Sequence, residues 1–327
     1  MRLKFFLWNY LKNKLRVFIF RDNMIESSFS TSNQFLDIFE HLDQHKIGKY
    51  GKTTLNIFCL RINANDFEIQ LLKKILRNAI VYYALSRKTI QEYESEKKWG
   101  DLFCDAKEKF INNNNKHGEL GELLLYSFLE THLQAPKILS KLELKTSTNM
   151  YINGSDGIHL LKLDDKNYQL IFGESKVYKG LAEAISDAFT SISEFKTETN
   201  QKGNPKSGIN YEKSLISNNI LKEAYSSEDE KLLRGIIYPQ KDRDFYVDDA
   251  FGIFIGFEET FKKLDKGKPN IQYREEAYQC IRQRVQNVLA DIEKYILKHN
   301  LIMHNFYLYL VPLPNFDRLK EIEPWNS

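Results

Sequence analysis

Cysteine is scarce in this chain of 327 residues, which contains three: Cys59, Cys104 and Cys280. They are far apart and odd in number, and no two of them form a Cys-x-x-Cys pair. This distribution excludes a zinc ribbon and a disulfide framework, because both need closely spaced or paired thiols. It suits a reducing compartment, so we expect the protein in the cytoplasm.

Long hydrophobic runs are also missing. Two short apolar stretches, residues 5–8 and 17–20, stand near the N-terminus among basic residues. Neither approaches the roughly 20 residues of a membrane span or the roughly 7 to 15 of a secretory signal. We therefore expect no membrane segment. The first 23 residues are interpreted as a basic amphipathic lead-in, or as sequence upstream of a native start at Met24.

Neither sign of charge dominates. The chain has 47 Lys and Arg against 44 Asp and Glu, which gives a net charge of +3. This balance does not by itself indicate nucleic-acid binding, so any basic surface has to be local. The polar segment 196–213 carries Lys202, Lys206 and Lys213 beside Gly and Pro. It is predicted to be a loop, either one that contacts phosphates or an ordinary solvated one.

Two familiar motifs are incomplete. Gly51-Lys52-Thr53 fits the end of a phosphate-binding loop, but Lys46 stands where that motif requires a glycine. His41 and His45 have the spacing of a His-Glu-x-x-His zinc site, yet Leu42 follows the first histidine. We interpret the first as a turn and the second as the surface face of a helix.

Charged residues at the end of an apolar run are the strongest signal in the chain. Residues 170–177 are typical of a buried strand, and Glu174 and Lys176, two positions apart, point to the same face of it. Burying either charge costs several kcal/mol unless it has a partner or a metal ion. The acid-x-Lys pattern occurs six more times, but only here does an Asp at the start of a strand, Asp156, stand just upstream.

The predicted hairpin between these strands gives a test of the site. With a two-residue loop at Asp165 and Lys166, Asp156 would lie opposite Ser175 and on the wrong face. An odd loop, or a bulge at one of the nearby glycines, would bring Asp156 level with Glu174 or Lys176. We predict the odd register.

A helix that begins near His117 carries Glu119 and Glu122 in its first turns. Acids there can simply complement the helix dipole, for about 0.3 to 1 kcal/mol each. Gly118 and Gly121 indicate that this part of the helix has an additional role, because two glycines in one turn of a helix cost roughly 1 kcal/mol each. We expect another part of the protein to pack very close to this helix.

The polar break Asn112–Asn115 predicts a domain boundary. Residues 1–111 form an α/β region that we expect to dock a partner, and residues 112–327 form a second domain. We predict helices at about 67–85, 99–111, 117–132, 181–195, 217–235 and 273–298, and strands at about 55–62, 138–145, 156–163, 170–177, 252–257 and 305–311.

This order of elements and acids, over residues 112–257, resembles the PD-(D/E)XK nuclease superfamily. The resemblance implies a restriction-endonuclease-like α/β (α+β) core, a mixed sheet flanked by helices, with an N-terminal α/β extension. It implies Glu122, Asp156, Glu174 and Lys176 as catalytic residues. Asp156 and Glu174 would bind Mg²⁺ or Mn²⁺ with Glu122, or Glu119 in reserve, and Lys176 would orient the attacking water. The alternative is that Glu174 and Lys176 pair only with each other and with Asp156.

The segments 117–122, 154–159 and 173–176 also resemble the HamA family, effector subunits of the bacterial Hachiman anti-phage defence system. That resemblance implies a DNA nuclease in a heterodimer with a superfamily 2 helicase, HamB, which holds it in check. Two alternatives stay open. One is a nuclease fold without cutting activity that binds DNA or docks the helicase, since fold does not fix function. The other is a stand-alone restriction or repair nuclease.

Overall fold

The computed structural model of the protein describes residues 27, 29, 34–111, 118–142, 144, 154–224, 226–238 and 244–325. The lead-in 1–23, the polar break Asn112–Asn115 and His117 lie outside these residues. The strands are β1 Phe39–Ile47, β2 Thr53–Leu60, β3 Ile62–Asn63, β4 Asp66–Phe67, β5 Lys137–Leu139, β6 Ile158–Lys162, β7 Asn167–Tyr178, β8 Tyr246–Glu258 and β9 Asn305–Leu313. The helices are α1 Gln34–Asp37, α2 Ile69–Ala84, α3 Arg87–Ser95, α4 Trp99–Ile111, α5 Gly118–Thr131, α6 Leu181–Thr197, α7 Ile209–Glu223, α8 Ser227–Ile237, α9 Asn270–Gln286, α10 Leu289–Lys298 and α11 Leu319–Ile322, with a 3₁₀ turn at Phe316–Arg318.

Within the described residues, seven strands form one mixed sheet in the order β1-β2-β9-β8-β7-β6-β5. The four inner strands β2, β9, β8 and β7 run parallel, while β1, β6 and β5 pair antiparallel. Strands β8 and β9 are buried over most of their length, as expected for parallel strands covered by helices on both faces. The predicted mixed α/β architecture with flanking helices is confirmed.

The N-terminal region shares this sheet. Strand β2 pairs with β9, just over 250 residues later in the chain, from Thr53 opposite Phe306 to Ile57 opposite Leu310. The sheet is thus continuous across residue 111. The division of the chain into two domains stays a prediction.

Most predicted helices are confirmed to within a few residues, and five assignments are wrong. The strand predicted at about 138–145 ends at Leu139, because the chain turns at residues 141 and 142. His41 and His45 lie on strand β1, because a spacing of four residues fits one face of a strand as well as one face of a helix. The predicted loop 196–213 ends early, at the start of α7. The predicted helix 217–235 is two helices, separated where Ser226 and Asp229 form a capping box. The predicted helix 273–298 is also two, α9 and α10.

Helix α5 lies unusually close to the sheet. A Cβ atom at Gly121 would stand 2.8 Å from Cγ2 of Val177 and 3.2 Å from Oγ of Ser175. On the sheet side, a Cβ at Gly252 would stand 3.0 Å from Leu129. The expectation of close packing is therefore confirmed at Gly121, and it brings the first turns of α5 against β7.

Candidate functional site

The β6–β7 hairpin has the odd register. Ile158 lies opposite Phe172, and one step further Gly173 N donates to Gly157 O at 2.8 Å while Asp156 N donates to Gly173 O at 2.8 Å. Asp156 and Gly157 thus both lie opposite Gly173, the residue before Glu174. The predicted register is confirmed, and it places the two acids at neighbouring strand positions.

Asp156 is fixed by the edge of β7. Its Oδ2 accepts hydrogen bonds from Ser175 N at 2.6 Å and from Ser175 Oγ at 2.8 Å. The backbone bonds between the two segments end at Gly173, so the N–H of Ser175 takes the Asp156 side chain as its acceptor. The carboxylate is therefore held beside the backbone that joins Glu174 to Lys176.

Glu174 and Lys176 belong to a chain of polar contacts on the face of β7 covered by α6. Lys176 Nζ lies 2.9 Å from Oε1 of Glu174 and 3.1 Å from Oδ2 of Asp187 on α6. The hydroxyl of Tyr178 donates to the same Asp187 oxygen at 2.7 Å, and Ser191 hydrogen-bonds to Glu174. Lys176 therefore bridges a mostly buried acid and a half-exposed one.

The electrostatics of the cluster follow from burial and from the spacing of its acids. Burial, and then the negative charge of Asp156, raise the pKa of Glu174 to about 7 against the opposing effect of Lys176. Burial also raises the pKa of Asp156, while Ser175, Lys141 and Lys176 oppose that shift. Burial alone would lower the pKa of Lys176, but Glu174 and Asp187 raise it above its ordinary value. Lys176 is thus a cation, and Glu174 gains or loses its proton near neutral pH.

The two acids of α5 stand at the other side of Ser175, and a tyrosine from α2 reaches them. Gly121, which packs against Ser175, lies between Glu119 and Glu122 in the sequence. Glu119 is buried, and the hydroxyl of Tyr83 donates to Oε2 of Glu122 at 2.6 Å. Burial, followed by the charges of Glu122, Asp156 and Glu119, raises the pKa of Tyr83. The structure thus brings both α5 acids to the site that holds Asp156.

A buried ion pair holds the loop that carries Asp156. Glu212 on α7 is fully buried, and its Oε1 accepts from Ser155 N at 2.8 Å and from Lys141 Nζ at 2.7 Å. Lys141 also donates to the carbonyl of Ser155. At Gly154, where φ is +137°, a Cβ would overlap Oε1 of Glu212. The loop is therefore shaped around a carboxylate supplied by α7.

Sequence reasoning missed Tyr83, Lys141, Glu212, Asp187 and Tyr178. Tyr178 alone had a signal, since it lies two positions beyond Lys176 and so on the same face of β7. The other four come from different elements and carry no pattern that marks them.

The donor set for a metal ion is small. Among the described residues, no group of three His, Cys, Asp or Glu side chains is arranged to hold a metal ion. Asp156 and Glu174 nevertheless form a pair of hard oxygen donors, close enough for the charge of Asp156 to raise the pKa of Glu174. Their assignment as ligands, with Glu122 or Glu119 as a third acid, stays a prediction.

The fold and the site together define a mixed α/β protein in which strand β7 presents a partly buried cluster of carboxylates and a lysine. The family model described as HamA matches residues 33–321, which is nearly the whole chain. The chain belongs to the HamA family, and this makes it a component of the Hachiman anti-phage defence system. No curated protein matches the chain. Within the described residues, none of the helices has the length and apolar character that crossing a membrane requires.

Proposed function

We propose that this protein is a metal-dependent DNA nuclease of the PD-(D/E)XK type, and that it acts as the effector subunit of a Hachiman complex in which a partner helicase restrains it. One observation carries the proposal. The odd hairpin register brings Asp156 beside Glu174 and holds its carboxylate on Ser175, while Glu174 and Lys176 share one face of β7. Family membership supports the defence role.

Asp156 and Glu174 fit a hard divalent cation. Their carboxylates repel each other in a mostly buried position, and a cation between them would relieve that repulsion. Mg²⁺ keeps several of its waters and is often bound by one or two carboxylates, so a third protein ligand is not required. When bound, such an ion would neutralise the phosphate and lower the pKa of a water molecule.

The chain's own groups would prepare the reaction. Ser175 holds the Asp156 carboxylate by two hydrogen bonds, so this ligand is positioned before any substrate arrives. Lys176 is charged and is held by Glu174 and Asp187, which aims its ammonium group at the site. There it would stabilise the negative charge that develops on the phosphate oxygens and orient the attacking water.

A binding role without cutting is the second candidate. It is favoured by the pairing of Lys176 with Glu174 and Asp187, which satisfies these charges without an ion. On that reading the protein would be a DNA clamp or a docking subunit for the helicase.

Plasmid cleavage distinguishes the nuclease from the binding role without cutting. The protein, alone and with the expected helicase partner, is incubated with plasmid DNA in Mg²⁺ and in EDTA. We expect cleavage in Mg²⁺ only, and a loss of roughly 100-fold or more in Glu174→Gln and Lys176→Ala. Lys166→Ala is the control, because Lys166 is exposed in the turn before β7, at the opposite end of the strand. Binding of DNA without nicking under every condition would favour the clamp.

A further inference from the structure

A tyrosine from the N-terminal region reaches the candidate site. Tyr83 lies in the last turn of α2, is 7% exposed, and donates its hydroxyl to Oε2 of Glu122 at 2.6 Å. Its ring packs against Tyr126, one turn further along α5, with the ring centroids 5.4 Å apart. The side chain is thus held by the same helix that its hydroxyl contacts.

The end of α2 is anchored by a buried lysine. The Lys137 ammonium group, on β5, donates to the backbone carbonyls of Tyr82, Tyr83 and Leu85. These are carbonyls at the C-terminal end of the helix, where a cation is favourable. Because Lys137 lies opposite His159 of β6, the strand that follows Asp156, the backbone at Tyr83 is tied to the same sheet edge as the site.

The surroundings of the Tyr83 hydroxyl are negative. The charges of Glu122, Asp156 and Glu119 all act on it. Its partner is the Glu122 carboxylate, which can only accept, so the Tyr83 hydroxyl is the donor in this bond. A donor that is fixed in place restricts where the Glu122 carboxylate can point.

We infer that Tyr83 is a positioning residue of the nuclease site, acting through Glu122, an inference that rests on the proposed function. The segment before residue 111 is then part of the site as well as the region expected to dock a partner. A displacement of α2 by a partner would move the Tyr83 hydroxyl away from Glu122.

The experiment measures metal affinity without relying on cleavage. Mn²⁺ binding to the full chain is followed through the electron paramagnetic resonance signal of the free ion. We expect Tyr83→Phe to weaken Mn²⁺ binding roughly 10-fold or more and to raise the Mg²⁺ concentration that half-saturates cleavage. The control is Tyr309→Phe, because Tyr309 is also buried and its hydroxyl lies 3.1 Å from Nδ1 of His132, just beyond the other end of α5. This variant is expected to match the wild type in both measurements.

A double-variant cycle tests the route through Glu122. If Tyr83 acts only by holding Glu122, Tyr83→Phe adds no further loss to Glu122→Gln. Unchanged Mn²⁺ affinity in Tyr83→Phe, or full additivity with Glu122→Gln, would overturn the inference while leaving wild-type cleavage and the proposed function intact. A wild-type protein that neither binds Mn²⁺ nor cuts DNA would overturn both.

Discussion

Replacing Glu174 with Gln should stabilise the metal-free protein at alkaline pH. The carboxyl group lies in a mostly buried position near Asp156, and these two causes raise its pKa to about 7 from an ordinary 4.5. Between these values the folded state holds a proton that the unfolded state has lost. Stability therefore falls as the pH rises through this window, because ionisation of the carboxyl group favours the unfolded state. Above the window the folded state holds the charge in a mostly buried position.

The size of the effect follows from the shift. Each pKa unit corresponds to about 1.4 kcal/mol, so full ionisation of Glu174 costs the folded state on the order of 3 kcal/mol at pH 8. At pH 5.5 the linkage relation leaves about 1 kcal/mol of this cost, because most of the folded molecules are still protonated. Gln resembles the protonated acid and carries no charge, so Glu174→Gln does not have this ionisation cost at either pH. The advantage of Glu174→Gln over the wild type should therefore grow by about 2 kcal/mol from pH 5.5 to pH 8.

Urea unfolding in EDTA at the two pH values measures this difference directly. Glu183→Gln is the matched control, since Glu183 is exposed on α6 and its substitution reports the effect of removing one surface charge. Saturating Mg²⁺ at pH 8 should reverse the ranking, because the ion would stabilise the wild type by mass action and Glu174→Gln would lack a ligand. A difference between Glu174→Gln and the wild type that stays the same at both pH values would refute the reasoning.

Two further predictions concern the supports of the site. Glu212→Ala leaves the Lys141 ammonium group in the protein interior without its carboxylate partner. We expect the free energy of unfolding, measured in urea, to fall by about 3 to 5 kcal/mol. Glu228→Ala, on the exposed first turn of α8, is the control and should change stability little. If Glu212→Ala unfolded at the same urea concentration as the wild type, the stabilising role of the Lys141–Glu212 ion pair would be contradicted. Gly121→Ala places a Cβ against Val177 and should lower the free energy of unfolding by about 1 to 3 kcal/mol. In Gly100→Ala, in α4, the added Cβ meets nothing within 4 Å, so this variant should be more stable by up to about 1 kcal/mol. Equal effects of the two alanines would show that α5 has room to move.

Local patterns were enough to predict the strand β7, the hairpin register and the helices α5 and α6. Asp156 and Glu174 can share a site only if the hairpin has the odd register, and this argument needs nothing beyond the alternation of side chains along a strand. The close approach at Gly121 followed from the cost of glycine in a helix. These inferences hold because the residues concerned are neighbours in sequence or in one hairpin.

The supports of the site could not be predicted, because each depends on a contact between distant segments. Tyr83 and Glu122 are 39 residues apart, and Ser155 and Glu212 are 57 apart. The pairing of β2 with β9 spans a still longer separation. A buried tyrosine or glutamate in a helix has the same local sequence context whether its polar end reaches a site or an ordinary core partner.

The unequal lengths of two strands determine where the site lies. Strand β8 accompanies β7 along its whole length, from Asn167 opposite Tyr246 to Tyr178 opposite Phe257, and keeps that side of β7 rigid. The backbone bonds between β7 and the segment before β6 end at Gly173, so the Asp156 side chain can reach the N–H of Ser175. If β6 began three residues earlier, at Ser155, that N–H could bond to the Ser155 carbonyl instead, and Asp156 would lose the bond that holds it beside Glu174. The same register with a longer β6 would therefore keep both acids but lose the fixed geometry between them.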